Sequence, residues 1–286
     1  MDEIVVNLGF GEAAMAFAKP GARAFDRKTD GPEREAKLAD YAAAGVVPCE
    51  SAAEALAGAG AVLSLVTADQ SLPAALAAAP FLAPGALWLD MNSVAPDTKR
   101  EAARAIEAAG GRHVDVAIMS PVHPKRLGTP LLVAGPHSAA GVEALRTFGF
   151  TNVRSVGGET GAASAIKMIR SVMVKGIEAL TAECVLAADA AGVLDEVIGS
   201  LDASEQAKPW AERVDYNLDR MMRHGQRRAE EMGEVTRTLA ALGISPILSA
   251  GTVKWQQSIG ALGIDPPKGL AAKLAALGAR WKEPGA

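Results

Sequence analysis

Aromatic side chains make up only 4% of this 286-residue sequence, and it holds only two cysteines, Cys49 and Cys184. Two cysteines cannot build a disulfide framework, and neither stands at a metal-ligand spacing, so both read as small apolar residues. No uninterrupted apolar run reaches the ~18 residues that a membrane-spanning helix needs. Long basic runs are missing too, and the net charge is −4, which argues against nucleic acid or an anionic membrane as the main partner. Met1-Asp2-Glu3 lacks the basic region of a secretory leader. Together these absences predict a cytoplasmic chain whose partner is a small molecule. What is abundant is aliphatic: 49% of residues are hydrophobic, so Ala, Leu, Val and Ile must build the core. The length suits one large domain or two modest ones.

The first half alternates between short apolar runs and amphipathic stretches. Strand candidates lie at 4–8, 23–25, 46–48, 61–65, 86–90, 112–117, 130–134 and 153–156. Helical candidates fall between them at 34–44, 51–57, 72–78, 96–109 and 139–148. Such alternation predicts an α/β unit with a parallel sheet covered on both faces. Beyond Gly157-Gly158 the strand signal stops. Residues 161–191 read as one long helix, apolar around much of its circumference, the pattern of a buried helix. Shorter helices follow near 194–201, 205–222, 223–242, 247–262 and 269–277. The expected organisation is an α/β domain at 1–158 and an all-α domain at 159–286. A helical domain with few bulky residues and a long apolar helix often completes its core against a second copy, so a homodimer is expected.

The most specific signal is at the start. An apolar run enters Gly9-Phe10-Gly11-Glu12-Ala13-Ala14, a G-x-G-x-x-A turn, and a helix-forming stretch follows. Gly9 permits the tight bend, Gly11 lets a pyrophosphate approach the backbone, and Ala14 lets helix and strand pack closely. The helix N-terminus then faces the phosphates. Phe10, Glu12 and Ala13 complete the candidate turn. Asp26, after the second strand candidate, is the expected acceptor for ribose hydroxyls and favours NAD, whereas the adjoining Arg27 and Lys28 favour the 2′-phosphate of NADP. The cofactor reading is therefore NADP or NAD. Only 17 residues separate Gly9 from Asp26, against the usual ~20. The first helix must end near Pro20-Gly21, after about two turns.

Three later segments carry candidate chemistry. Thr67 follows one strand candidate and Asn92-Ser93 follows the next, where open parallel sheets place their ligands. Asn92 and Ser93 are either nicotinamide-side contacts or the cap of the helix that begins at Pro96. Ser120, in Met119-Ser120-Pro121-Val122-His123, sits where a substrate loop would follow a strand, though a serine before proline also suits a plain turn. His123 reads either as an acid/base group or as an exposed loop residue. Ser164, Lys167 and Ser171 fall at i, i+3 and i+7 of the long helix and share one side of it. Lys167 is either a proton-transfer group or a lysine reaching water along its stem.

Taken together, Gly9-Phe10-Gly11, Asp90-Met91-Asn92-Ser93, Asp115-Val116-Ala117 with Ser120 and Gly128-Thr129, and Gly161 with Lys167 resemble the β-hydroxyacid dehydrogenase family over nearly the whole chain. The resemblance is strongest to a bacterial branch with stretches like Lys167-Met168-Ile169-Arg170-Ser171 and Arg223-His224-Gly225-Gln226-Arg227-Arg228 in the helical domain. It implies a Rossmann-type domain, a helical dimerisation domain, hydride transfer to or from NAD(P), and Lys167 as general acid/base. Two departures stand out. The family's Ser-Gly-Gly substrate loop is Ser120-Pro121-Val122 here, and Pro121 has no N–H to hold a carboxylate. Ser171 stands where the family has asparagine. His224, Arg227 and Arg228 are candidates for the missing positive charge, or else a solvated helix face. The expected reaction is oxidoreduction of a small hydroxy acid or carbonyl compound, with an imine substrate or a non-catalytic dinucleotide-binding role as alternatives.

Overall fold

The computed structural model describes residues 4–205 and 207–281. Eight strands form one sheet: β1 (Val5–Leu8), β2 (Arg23–Phe25), β3 (Val47–Pro48), β4 (Ala61–Ser64), β5 (Leu87–Asp90), β6 (Arg112–Ile118), β7 (Leu131–Ala134) and β8 (Val153–Ser155). Their spatial order is β3-β2-β1-β4-β5-β6-β7-β8. Between them run α1 (Glu12–Phe17), α2 (Arg34–Ala44), α3 (Ala52–Leu56), α4 (Ser71–Ala78), α5 (Pro96–Ala108) and α6 (Ser138–Phe148). The central strands are buried along their whole length, which is why they read as continuous apolar runs. Neighbouring residues serve opposite faces. Leu63, Leu89 and Val116 enter one core with Phe17 and Phe150, while Val62 and Trp88 enter another with Leu56 and Ile106.

The expected all-parallel sheet needs one correction. β7 runs antiparallel to β6, with Asp115 opposite Ala134 and Ile118 opposite Leu131. A parallel return requires a crossover, usually a helix. Only a loop with a short 3-10 turn at Arg126–Gly128 joins these two strands, so the chain comes straight back. The first helix is as short as the spacing demanded: α1 has six residues, and Gly21 turns the chain at φ +83°.

Five helices follow: α7 (Ala162–Ala190), α8 (Leu194–Ser204), α9 (Trp210–Ala241), α10 (Ile247–Ala261) and α11 (Leu270–Trp281). The chain divides into two compact units, Met1–Val172 and Met173–Ala286. Secondary structure changes character near 158, but packing divides inside α7, because the first turns of that helix belong with the sheet. Two expectations change here. The helices read at 205–222 and 223–242 are one helix, α9. And α7, expected to be buried, leaves Ile169 71% and Val172 70% exposed in the single chain.

Within the second unit, α9 and α10 touch backbone to backbone. A Cβ on Gly225 would lie 2.3 Å from the Gln256 carbonyl oxygen, and one on Gly260 would lie 2.5 Å from the Gln226 nitrogen. A mid-helix glycine costs roughly 1 kcal/mol of helix stability, and close helix contact offsets that. Glu183 of α7 accepts hydrogen bonds from Leu248 N at 2.9 Å, Ser249 N at 3.0 Å and Ser249 Oγ at 2.5 Å, satisfying the otherwise orphaned first turn of α10. Burial opposes the Glu183 charge, but these bonds outweigh it and hold the carboxyl below its ordinary range. Lys273 of α11 is buried and donates to Asp215 of α9 at 2.8 Å. No helix among the described residues is long and apolar enough to cross a membrane.

Candidate functional site

The glycine turn forms as its residue types require. Gly9 lies at φ +85°, and a Cβ there would stand 2.5 Å from the Leu65 oxygen. Gly11, at the N-cap of α1, differs: a Cβ on it would meet nothing within 4 Å. The space over the helix N-terminus is therefore clear of protein, and it opens into a cleft of about 670 Å³ lined by Gly9, Gly11, Glu12, Ala13, Asp26, Arg27 and Thr67, among others. The cleft lies at the carboxyl ends of β1, β2 and β4, where the strand order reverses, the position at which open α/β sheets bind ligands. A dinucleotide fits this open cradle.

The turn is braced from beneath. Asp26 Oδ2 accepts from Phe10 N at 2.7 Å, and Asp26 Oδ1 accepts from Lys28 N at 2.9 Å. Lys37 Nζ donates to the Phe10 carbonyl at 2.8 Å. The Phe10 ring is buried edge-on against Tyr41, with centroids 4.8 Å apart. Phe10, a candidate cofactor contact, is thus occupied by the fold through its ring, its N–H and its carbonyl. Arg27 reaches Gln70 on the facing cleft wall at 2.6 Å.

A buried charged hub joins the end of β5 to the first half of β6. Asp90 Oδ1 accepts from Lys99 Nζ at 2.8 Å and from Asn92 Nδ2 at 2.8 Å, while Asp90 Oδ2 faces His113 Nε2 at 3.3 Å. Burial opposes the Asp90 charge, but the Lys99 ammonium and the His113 contact prevail and keep the carboxyl well below its usual range. Lys99 also lies 3.6 Å from Asp115 Oδ1. The other Asp115 oxygen accepts from Gly161 N at 3.0 Å and Ser164 N at 3.1 Å, fixing the first turn of α7. A buried ion pair adds little net stability, because desolvation consumes most of the Coulomb gain. What this one provides is placement: Asn92 Oδ1 holds Val66 N of the cleft wall at 2.8 Å, and the neighbouring Ser93 Oγ accepts a hydrogen bond from Lys167 Nζ.

The remaining sequence candidates sort by use. Ser164, a candidate substrate contact, is buried, and its hydroxyl donates to the Val94 carbonyl, so it anchors α7. Ser171 donates to the Lys167 carbonyl at 3.0 Å within the same helix. Asn92 is also committed, bonding Ser64 Oγ at 3.0 Å and Ser71 Oγ at 3.2 Å besides the groups above. Ser120 follows β6, half-buried, with its hydroxyl on the Pro121 carbonyl at 3.2 Å. Thr67 and Ser93 are exposed at strand ends, and His123 is exposed in the loop after β6. His224 lies half-buried on α9 in the second unit. Sequence reasoning missed Lys99. Its signal was spacing: Lys99, Ala102, Ala103 and Ile106 form the buried stripe of α5, with a lysine at a core position.

The fold, the open glycine turn and the cleft define a dinucleotide-binding domain. Residues 24–148 match the NAD binding domain of 6-phosphogluconate dehydrogenase, from β2 onward and so without the glycine turn. Residues 188–259 match a domain of unknown function, DUF1932. A conserved hypothetical protein from Sinorhizobium meliloti is 34% identical, with 98% of this chain and 97% of that one covered and a TM-score of 0.59. A conserved protein of unknown function, described as structurally similar to 3-hydroxyacid dehydrogenases, is 28% identical over 91% of this chain and 98% of its own, with a TM-score of 0.58. The chain belongs to the β-hydroxyacid dehydrogenase family, of the 6-phosphogluconate dehydrogenase-like kind. An imine reductase from Streptomyces aurantiacus shares the fold, with a TM-score of 0.73 at 17% identity over 96% of this chain and 99% of its own. Other enzymes of this fold were solved with NADPH and with NAD+. An uncharacterised 28.5 kDa protein of Methanothermus fervidus is 26% identical over 57% of this chain, and the match spans 61% of that protein's length.

Proposed function

We propose that this protein moves a hydride between NAD(P) and a small hydroxy acid or related carbonyl compound, with Lys167 as the proton-transfer group. The observation that carries the reading is the chain of contacts from cleft wall to amine: Val66 to Asn92, then Ser93 to Lys167. Gly9, Gly11, Glu12 and Ala13 would cradle the pyrophosphate, and Asp26 with Arg27 would face the adenosine ribose. The open turn supports both NAD and NADP. Arg27 and Lys28 beside Asp26 favour tolerance of a 2′-phosphate. Bound in the cleft, the nicotinamide ring supplies the hydride chemistry. As a hydroxyl carbon becomes a carbonyl, the Lys167 amine takes the hydroxyl proton, and in the reverse direction the ammonium returns it to oxygen. Ser93, through its hydrogen bond, holds the amine at the strand ends, and Ser120 stands on the substrate side.

Pro121 favours a second substrate class. Without an N–H at that position the loop offers less grip on a carboxylate, which suits an imine, whose nitrogen would receive the Lys167 proton on reduction. Turnover of keto acids, hydroxy acids and cyclic imines with each cofactor separates the two. Lys167→Ala should lower kcat by about 10²–10⁴ while dinucleotide affinity stays near wild type. Full turnover in that variant removes Lys167 from the mechanism, and dinucleotide binding with no turnover of any class leaves a sensor. The exposed apolar side chains of α7 support a homodimer in which a second copy covers them.

A further inference from the structure

The second unit holds a polar cleft of about 520 Å³ that the proposed chemistry leaves unused. Its lining includes Asn217, Arg220, Arg227, Arg228 and Glu231 of α9 and Gln256 of α10. The α9 residues recur at helical spacing and so share one face.

This face is not merely a solvated charged surface. Helix α9 carries six arginines, and four have carboxylate partners: Arg213 with Glu205, Arg223 with Asp219, Arg227 with Glu231 and Arg237 with Glu234. The two without an ion pair or hydrogen bond among the described residues, Arg220 and Arg228, both line the cleft. Three guanidinium groups face one carboxylate there, in a chain whose net charge is −4. Arg220 Nε is buried with no partner. Gln256 is 9% exposed, and its Oε1 is also buried without one. Buried donors and acceptors are ordinarily satisfied, because an unmade bond there is costly. The close contact at Gly225 holds the Gln256 backbone against α9.

We propose that this cleft binds the oxyanion of a small ligand, a carboxylate or phosphate group that also carries a hydroxyl or a protonated oxygen. The forked donors of Arg220 and Arg228 suit two oxygens of such a group. Gln256 Nε2 adds a donor, and its Oε1 accepts the ligand's O–H. The inference does not rest on the dinucleotide cleft, which lies in the other unit.

The test is calorimetric titration of the full-length protein with inorganic phosphate and, separately, with malate, at constant ionic strength. Saturable binding of at least one anion is expected, and the tighter of the two assigns the ligand's chemistry. Arg220→Gln and Arg228→Gln should each weaken it about tenfold or more. Arg228→Lys keeps the charge but loses the fork, and should fall between Arg228→Gln and wild type. Arg27→Gln, at the dinucleotide turn, should leave this binding unchanged. Thermal unfolding confirms that each variant is folded, and Arg228→Lys serves where the glutamine changes are not. No saturable binding of either anion, unchanged affinity in the arginine variants, or equal loss in Arg27→Gln overturns the proposal.

Discussion

The two units solve burial differently. In the first, crossover helices cover both faces of a sheet, the central strands are fully enclosed, and even the charges inside are matched, Lys99 against Asp90 and Asp115. In the second, helices pack well in pairs, as α9 and α10 do at Gly225 and Gly260, yet Met173, Ile177, Leu180 and Ile247 remain exposed. A sheet of alternating β and α elements supplies its own covering layers. A set of helices without a sheet needs another layer, and a second copy is the simplest source. The proposed chemistry accordingly falls to the first unit and the proposed assembly to the second.

That contrast can be broken or sharpened experimentally. The largest expected effect is the loss of turnover in Lys167→Ala, which should leave oligomeric mass unchanged. Next is Gly9→Ala. Its Cβ would stand 2.5 Å from the Leu65 oxygen on a backbone at φ +85°, so strain and overpacking together should destabilise the first unit by about 2–4 kcal/mol. Chemical denaturation read by dinucleotide binding checks this. Third, Ile177→Asp places a charge at a residue 45% exposed in the single chain. Burying it against a second copy should weaken self-association about a hundredfold. Sedimentation at micromolar concentration checks the mass, and a wild-type protein that is already monomeric ends the assembly reading.

The smallest effect concerns acid. Glu183 titrates below its ordinary value in the folded chain, so its stabilising contribution is present above the unfolded value of ~4.3 and fades as pH falls through the folded one. Glu183→Gln should cost the second unit about 1–2 kcal/mol at neutral pH, with the difference from wild type closing under acid. Equal differences at pH 7 and pH 3 would remove the charge from the account.

Much of the first unit was legible in sequence because its signals are local. Gly9, Gly11 and Asp26 follow a spacing that few other turns need, and the short α1 followed from that spacing. Lys167 stood out as a charge on a face of small residues. What escaped depended on partners distant in sequence. Phe10 reads as a cofactor contact until Tyr41, Asp26 and Lys37 are seen to enclose it. Ser164 reads as a ligand contact and Asn92 as either a ligand contact or a helix cap, but their polar atoms serve Val94 and Val66. Gly225 marks no helix end, because its missing Cβ serves a neighbouring helix rather than a turn. The antiparallel β7 could have been inferred from the lack of a helix before it.

By itself the sequence determined the alternation of strands and helices, the place of the glycine turn and the change to an all-helical second half, since each follows from periodicity or backbone freedom within a few residues. Only tertiary structure decided which polar groups are consumed in holding the fold and which stay available. Hydrogen-bond partners tens of residues apart are chosen by sheet register and helix crossing, and no local pattern encodes either.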